Sequence, residues 1–266
     1  MKVWIQNNAK SISQKIAQEL RQKLLYEKII ISEKNPDLVI TVGGDGTFLS
    51  AFHRFNNQLA HIEFVGIHTG HLGFYTDWQD SEVDELVSRI VNKQKNVIKF
   101  PLLDVKVTFS SGVVSHFLSL NESILKRVSQ TMRADIMIDG RRFERFRGDG
   151  IVLSTPSGST AYSKSLGGAI IDPSLSVMQF NEIAPINNRV YRTVNSSLIL
   201  PQKQILTVVP APQTDYIVTI DNLSYDHCSV QKVDYQISQE TIKIASYRPK
   251  RFWLRVRNAF LVDGDK

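Results

Sequence analysis

The chain has 266 residues, 42% hydrophobic and 22% charged, the proportions of a soluble globular protein with enough material for one large domain or two ordinary ones. Its single cysteine, Cys228, excludes an internal disulfide framework and a multi-thiolate zinc site, and suits a reducing cytoplasm. No apolar run approaches the roughly 20 residues that span a bilayer, and Met1–Asn7 breaks off too early for a signal-peptide core, so a cytoplasmic protein without a membrane partner is expected.

In chain order, Val3-Trp4-Ile5 reads as a short strand. Ser11 and Gln14 have capping-box spacing, and Ile12, Ile16, Leu20 and Leu24 make an apolar stripe at helical spacing. Leu38-Val39-Ile40-Thr41-Val42 is the unbroken apolar and β-branched run of a buried parallel strand. Gly43-Gly44-Asp45-Gly46-Thr47 follows it, and Phe48 reads as the start of a helix running to about residue 55. Phe64-Val65-Gly66-Ile67 is a further strand, ending in the glycine loop Gly70–Tyr75. Asp80 or Ser81 is expected to cap a helix with Val83, Leu86, Val87, Ile90 and Val91 on one face. Residues 1–100 therefore predict an α/β domain, a parallel sheet covered by helices.

After Phe100-Pro101 the pattern changes to short alternating segments. These are Leu103–Phe109, Val113–Leu120, Ala134–Ile138, Arg142–Phe146, Ile151–Ser154, Ile205–Val209, Tyr216–Ile220 and Ile242–Ser246. Turn pairs such as Ser111-Gly112 and Asp139-Gly140 separate them, so residues 101–248 predict a mostly β domain, an antiparallel sheet or sandwich. Past Pro249 the pattern is helical again, with Phe252, Val256, Ala259 and Phe260 on one side, and 249–266 is expected to complete the first domain.

Four stretches carry candidate chemistry. Gly43–Thr47 leaves the C-terminal end of a strand, where open α/β sheets bind ligands. Its glycines offer bare amides to oxyanions, and Asp45 can take a proton or reach a metal. In Gly70–Tyr75 the glycines permit a close loop, and Phe74 and Tyr75 could flank a flat ring. Asn121-Glu122 ends the apolar run Phe117–Leu120; Asn can read an amide or adenine edge and Glu can accept from two ribose hydroxyls. Arg147–Ser165 begins a strand with Gly148-Asp149-Gly150 and exits into a hydroxyl-rich loop, where Ser157-Gly158-Ser159-Thr160 looks like a helix N-terminus open to anions or polar edges. Each stretch alone also reads as a turn, a packed loop, a strand end or a cap. Their combination with Asp45 outweighs that.

The charge of +6 fits a phosphate-rich ligand or nucleic acid. Basic residues gather at Lys126, Arg127, Arg133, Arg141, Arg142, Arg145 and Arg147, and again from Lys243 to Arg257, where many read as the solvated face of a helix. Nothing has the form of a helix-turn-helix, zinc finger or RNA-binding aromatic motif, so no nucleic-acid partner is expected. A Gly-x-x-x-x-Gly-Lys-Ser/Thr run and a Gly-x-Gly-x-x-Gly run after a strand are both missing, against a P-loop ATPase and a Rossmann dehydrogenase.

Gly43–Thr47, Asn121-Glu122 and Thr155–Tyr162, in this order and at these separations, closely resemble the NAD kinases over nearly the whole chain. The glycine–aspartate motif is shared with lipid kinases and phosphofructokinases; the later block is more specific. The resemblance implies phosphoryl transfer from a nucleoside triphosphate, commonly ATP with Mg²⁺, to the 2′-hydroxyl of the NAD adenosine ribose. It makes Asp45 the general base, with Gly46 giving it room and Gly43, Gly44 and Thr47 at the donor phosphates. Asn121 and Glu122 would hold the adenosine, and Ser157, Thr160, Ala161 and Tyr162 would surround the adenine with Ser165 nearby. Phe74 and Tyr75 would line the pocket, while Arg147, Asp149 and Ala184 would serve the nicotinamide end. No residue set for a protein-held metal is implied. A homo-oligomer, dimer or tetramer, with shared sites is. This chain departs from the family at His68, Tyr75, Ser157 and Asp221-Asn222-Leu223. Two other readings remain, a lipid kinase of the same superfamily and a non-catalytic dinucleotide sensor.

Overall fold

A computed structural model describes residues 1–70, 72–127, 129–213, 215–248 and 252–261. His71 of the second glycine loop, Pro249, Lys250 and Arg251 before the last helix, and residues 262–266 lie outside the described residues. The chain divides into two compact units, Met1–Phe100 with Thr241–Lys266, and Pro101–Glu240.

The first unit begins with β1 (Lys2–Asn7), α1 (Ser11–Tyr26), β2 (Ile30–Ile31), β3 (Leu38–Val42), α2 (Asp45–Phe55), β4 (Glu63–His68), β5 (Trp78–Gln79) and α3 (Val83–Val91). Its sheet is parallel in the order β4-β3-β1-β2, with β5 beside β4. All five side chains of β3 are buried, as a strand covered on both faces requires. Phe48, Phe52 and Phe64 are fully buried, each contributing about 1.5–3 kcal/mol by leaving water.

Helix ends depart from the sequence reading in three places. The cap of α1 is Lys10, without a side-chain bond, so the Ser11–Gln14 box does not form; Asn8 Oδ1 accepts the Lys10 amide instead. The buried stripe of α1 is Ser13, Ala17, Leu20 and Leu24, with Ile12 exposed, because Ser13 turns inward to share a hydrogen bond with Thr69. Helix α2 starts at Asp45 rather than Phe48, which puts Asp45, Gly46 and Thr47 in its first turn. Ahead of α3, the capping box belongs to Gln79 and Glu82, and Asp80 and Ser81 lie inside that short turn. Val91 is exposed.

The second unit holds an antiparallel β architecture: β6 (Asn96–Phe109, from Pro101 onward), β7 (Val114–Ser119), β8 (Glu122–Lys126), β9 (Met132–Ile138), β10 (Arg141–Gly148), β11 (Gly150–Ser154), the single turn α4 (Tyr162–Ser165), β12 (Val177–Ile183), β13 (Leu198–Pro201), β14 (Leu206–Pro210), β15 (Tyr216–Ile220), β16 (Leu223–Cys228) and β17 (Val230–Ser246, to Glu240). One sheet runs β13-β12-β11-β8-β15-β16; β10-β9-β14-β17 and the β6-β7 hairpin form the other layer. Between them lies one apolar core that includes Val105, Leu125, Ile136, Phe146, Leu153, Phe180, Val218 and Tyr235.

Four of these strands, β8, β12, β13 and β16, carry no clear alternation in the sequence. Polar residues break it in β8 and β12, where Glu122, Ser123, Gln179 and Asn181 are buried. The segment Ile242–Ser246, grouped by pattern with the antiparallel strands, pairs in parallel with β4 in the first unit, Lys243 against Glu63 and Ile244 against Phe64. The last described helix is α5 (Phe252–Phe260), also in the first unit.

Candidate active site

In the first unit the site is built where β3 and β4 end. Gly43 has φ +155°, and a Cβ there would run into Thr47 and the Asn8 amide, so the exit from β3 needs glycine. Gly44 and Gly46 are exposed, and Asp45 is half-buried at the N-terminal end of α2. The second glycine loop closes on that carboxylate. Phe74 N donates to Asp45 Oδ2 at 2.8 Å and Tyr75 N to Asp45 Oδ1 at 2.9 Å. Gly73 makes this approach possible, because a Cβ there would collide with the carboxylate. Gly66 does the same one layer below, where Thr76 and the Tyr75 carbonyl lie against β4 and Asp77 N bonds the Gly66 carbonyl at 3.0 Å.

The two aromatic side chains of this loop behave differently. Tyr75 is buried and stacked on Phe48, with ring centroids 4.9 Å apart. Phe74 is half-buried and stacked on Phe260 of α5. Another residue of α5, Arg255, donates to the Phe74 carbonyl at 2.5 Å and pairs with Asp77. Its side chain is 14% exposed, so it is not part of a solvated helix face as the sequence pattern had suggested. Arg248 is likewise engaged, 3.6 Å from the Trp78 ring centroid and paired with Glu82. Part of the positive charge is therefore structural.

In the second unit Asn121 and Glu122 stand at the corner between β7 and β8. Asp221, in the β15–β16 turn with φ +52°, gathers four donors there: Ser119 Oγ at 2.6 Å, Leu120 N at 2.9 Å, Asn121 N at 2.7 Å and Glu122 N at 3.2 Å. Sequence reasoning left the role of Asp221 open. An Asp-Asn pair flags a turn, but nothing in the pattern says that the turn reaches back 100 residues. Glu122 opens a strand instead of closing one. Burial, and next the charge of Asp221, push its carboxyl up to about 8, against the smaller opposing effect of the Tyr162 amide that donates to it.

The hydroxyl-rich loop folds into a 3₁₀ turn, Ser157–Thr160, followed by α4, rather than into an extended helix. Its hydroxyls are largely committed within the unit. Thr155 Oγ1 and Ser157 Oγ both donate to the Leu120 carbonyl, at 2.6 and 3.0 Å. Ser159 Oγ donates to the Pro156 carbonyl and accepts from Ile171 N, and Thr160 Oγ1 donates to the Ser157 carbonyl at 3.1 Å. The Gly158 position lies so close to the Asn121 backbone that no Cβ fits. Ala161 is half-buried, while Tyr162 and Ser165 are exposed. The loop thus brings Ser157, Thr160, Ala161 and Tyr162 to the same corner as Asn121 and Glu122.

Arg147, Asp149 and Ala184 also come together. Asp149 N bonds the Ile183 carbonyl at 2.9 Å, Ile186 N bonds the Arg147 carbonyl at 2.7 Å, and Gly148 is squeezed against the Ile183 and Ala184 carbonyls. Ala184, named from the resemblance alone, adopts φ +46°, a conformation that costs a non-glycine residue energy. The Arg147 guanidinium lies 5.6 Å from the Tyr191 ring centroid. Beside this cluster Glu144 and Glu182 face each other; burial raises both, and Glu182 reaches about 7.

Two family models match the chain, the ATP-NAD kinase N-terminal domain over residues 5–95 and the ATP-NAD kinase C-terminal domain over residues 120–247. The NAD kinase of Latilactobacillus sakei is 46% identical over 262 residues, 98% of each chain. That of Enterococcus faecalis is 47% identical over 262 residues, covering 98% of this chain and 99% of its own. Among solved structures, yeast NADH kinase complexed with NADH matches with a TM-score of 0.85 at 21% identity, over 98% of this chain and 87% of that one. An NAD kinase from Archaeoglobus fulgidus in complex with ATP matches at 0.76 and 20% identity, over 97% and 98%. The two structures show a common fold, and the full-length relatives show more: the chain belongs to the ATP-NAD kinase family, enzymes that phosphorylate NAD.

Proposed function

We propose that this enzyme transfers the γ-phosphoryl group of ATP to the 2′-hydroxyl of the adenosine ribose of NAD, with Asp45 as the general base. The observation that carries the assignment is the clamp on Asp45. One amide on each oxygen fixes the carboxylate plane and leaves a lone pair on each for a hydroxyl proton. A ribose hydroxyl is a weak nucleophile, so proton removal and alignment are what the protein must add to phosphoryl transfer. In this reading Gly46 leaves room for the ribose beside Asp45, while Gly43, Gly44 and Thr47 form the donor-phosphate turn at the start of α2, whose N-terminus favours anions. Asn121 and Glu122 hold the adenosine, Ser157 shapes the corner through the Leu120 carbonyl, and Thr160, Ala161, Tyr162 and Ser165 bound the adenine. Phe74 lines the pocket, with Tyr75 packed behind it. Arg147, Asp149 and Ala184 serve the nicotinamide end.

Among the described residues no group of three or more His, Cys, Asp or Glu is arranged to hold a metal ion. In this reading Mg²⁺ enters with the triphosphate substrate, where it would neutralise phosphate charge. The enzyme works in the cytoplasm as a homo-oligomer, a dimer or tetramer, without a nucleic-acid or membrane partner. Among the described residues no helix is long and apolar enough to cross a membrane. Lipid-kinase and sensor readings have no support in relatives that are NAD kinases over their full length.

The test is NADP formation from NAD and Mg-ATP. Asp45→Asn keeps the shape of the side chain and is expected to lower kcat about 100-fold or more while KM for NAD changes little. Full turnover in that variant refutes the base assignment, and turnover of diacylglycerol but not NAD refutes the substrate.

A further inference from the structure

Arg255 feels the charge of Asp45 and is also linked to that carboxylate through one peptide group. It donates from α5 to the Phe74 carbonyl at 2.5 Å. The N–H of that same peptide unit is Tyr75 N, which donates to Asp45 Oδ1 at 2.9 Å. The order of groups is guanidinium, carbonyl, amide and carboxylate. A charged donor on a carbonyl polarises the amide and strengthens the bond on its far side.

Two further contacts hold this relay in place. Asp77, with its side chain 6% exposed, pairs with the second guanidinium nitrogen, so the Arg255 fork spans both ends of the Phe74–Asp77 loop. Phe260, also on α5, stacks on the Phe74 ring with centroids 5.8 Å apart. A surface-solvating arginine needs neither burial nor a fixed acceptor. A purely structural one would not need to select one of the two peptides whose amides hold the base.

We infer that Arg255 is a positioning residue for phosphoryl transfer: it fixes and polarises the Phe74–Tyr75 peptide, and through that amide sets the plane and reach of the Asp45 carboxylate. This rests on Asp45 being the base, and the experiment separates the two. In the full-length enzyme, Arg255→Gln is expected to lower kcat about 10-fold or more, with KM for NAD and Mg-ATP within about threefold of wild type. Arg255→Lys keeps the charge but cannot bridge Phe74 and Asp77, and its kcat should fall between the two. In an Asp45→Asn background, Arg255→Gln should cost little further rate, because its effect runs through the lost carboxylate.

Wild-type kcat in a folded Arg255→Gln enzyme overturns the inference. So does a full multiplicative loss in the Asp45→Asn background, which would mean that Arg255 acts by another route. Should Arg255→Gln fail to fold, Arg255→Lys decides: reduced kcat at an unchanged melting temperature supports positioning, and unchanged kcat refutes it. If Asp45→Asn alone retains full turnover, the base assignment falls first. If Asp45→Asn is slow while both Arg255 variants are fast, only the present inference falls.

Discussion

Two glycines, Gly73 in the first unit and Gly158 in the second, solve the same steric problem for different ends. Each lets one loop press against another with no room for a Cβ. At Gly73 the neighbour is the Asp45 carboxylate, the proposed base at the tip of a side chain. At Gly158 the neighbour is the backbone of Asn121, which cannot yield without moving two strands. The same contrast runs through the polar groups around them. The amides near Gly73 converge on one carboxylate, whereas the hydroxyls near Gly158 bond carbonyls of their own unit. The first region holds the proposed reactive group, and the second is built as a rigid wall.

Gly158→Ala should break the wall. The added methyl meets main-chain atoms, so the cost is overpacking, at or above about 3 kcal/mol of stability. Urea unfolding would show it, and an unchanged midpoint would mean that the corner is looser than its geometry. The next effect depends on pH. Glu122 has an ordinary carboxyl value near 4.5 and is pushed up to about 8 when folded. The folded state then holds the proton over that window, so the associated stability is full below about pH 4.5 and is lost as pH rises through 8. Wild type should lose a few kcal/mol relative to Glu122→Gln between pH 5 and pH 9. The quantity to follow is the difference between the two proteins, because Glu144 and Glu182 slope the same way. Equal slopes would remove Glu122 from the balance.

Gly73→Ala tests the reactive side of the comparison. A side chain can move aside more easily than backbone, so the fold should survive while the carboxylate is pushed off line. The expectation is a kcat loss of about 10- to 100-fold with little change in melting temperature. Loss of stability matching that of Gly158→Ala would erase the distinction between the two corners.

The distinction was only partly visible in the sequence. Leu38–Val42 followed by three glycines and an aspartate identified a strand and a turn, because apolar runs and glycines report directly on burial and backbone freedom. The parallel and antiparallel halves followed from the same periodicities. What pattern could not carry was the far partner of each hydrogen bond. Asp45 and the Phe74 amide are 29 residues apart, Asp221 and Asn121 are 100, and Arg255 and Phe74 are 181. Strands β8 and β12 escaped for a related reason. Their buried Glu122, Gln179 and Asn181 look like loop residues until their partners are known.

Ser157 offers the finest test of this point. Its residue type and place in the motif suggest a hydroxyl that meets the adenine, yet that hydroxyl donates to the Leu120 carbonyl at 3.0 Å and sits within bonding distance of Thr155 Oγ1, at 3.0 Å. Thr155 also donates to the Leu120 carbonyl, so removing Ser157 Oγ leaves that acceptor satisfied. Ser157→Ala should therefore cost only about 1 kcal/mol of stability, the net worth of one buried hydrogen bond. KM for NAD should stay within about threefold, since no ligand bond is lost. A tenfold rise in KM at unchanged stability would mean that the hydroxyl turns outward when NAD arrives, and the wall would then be part of the reactive region after all.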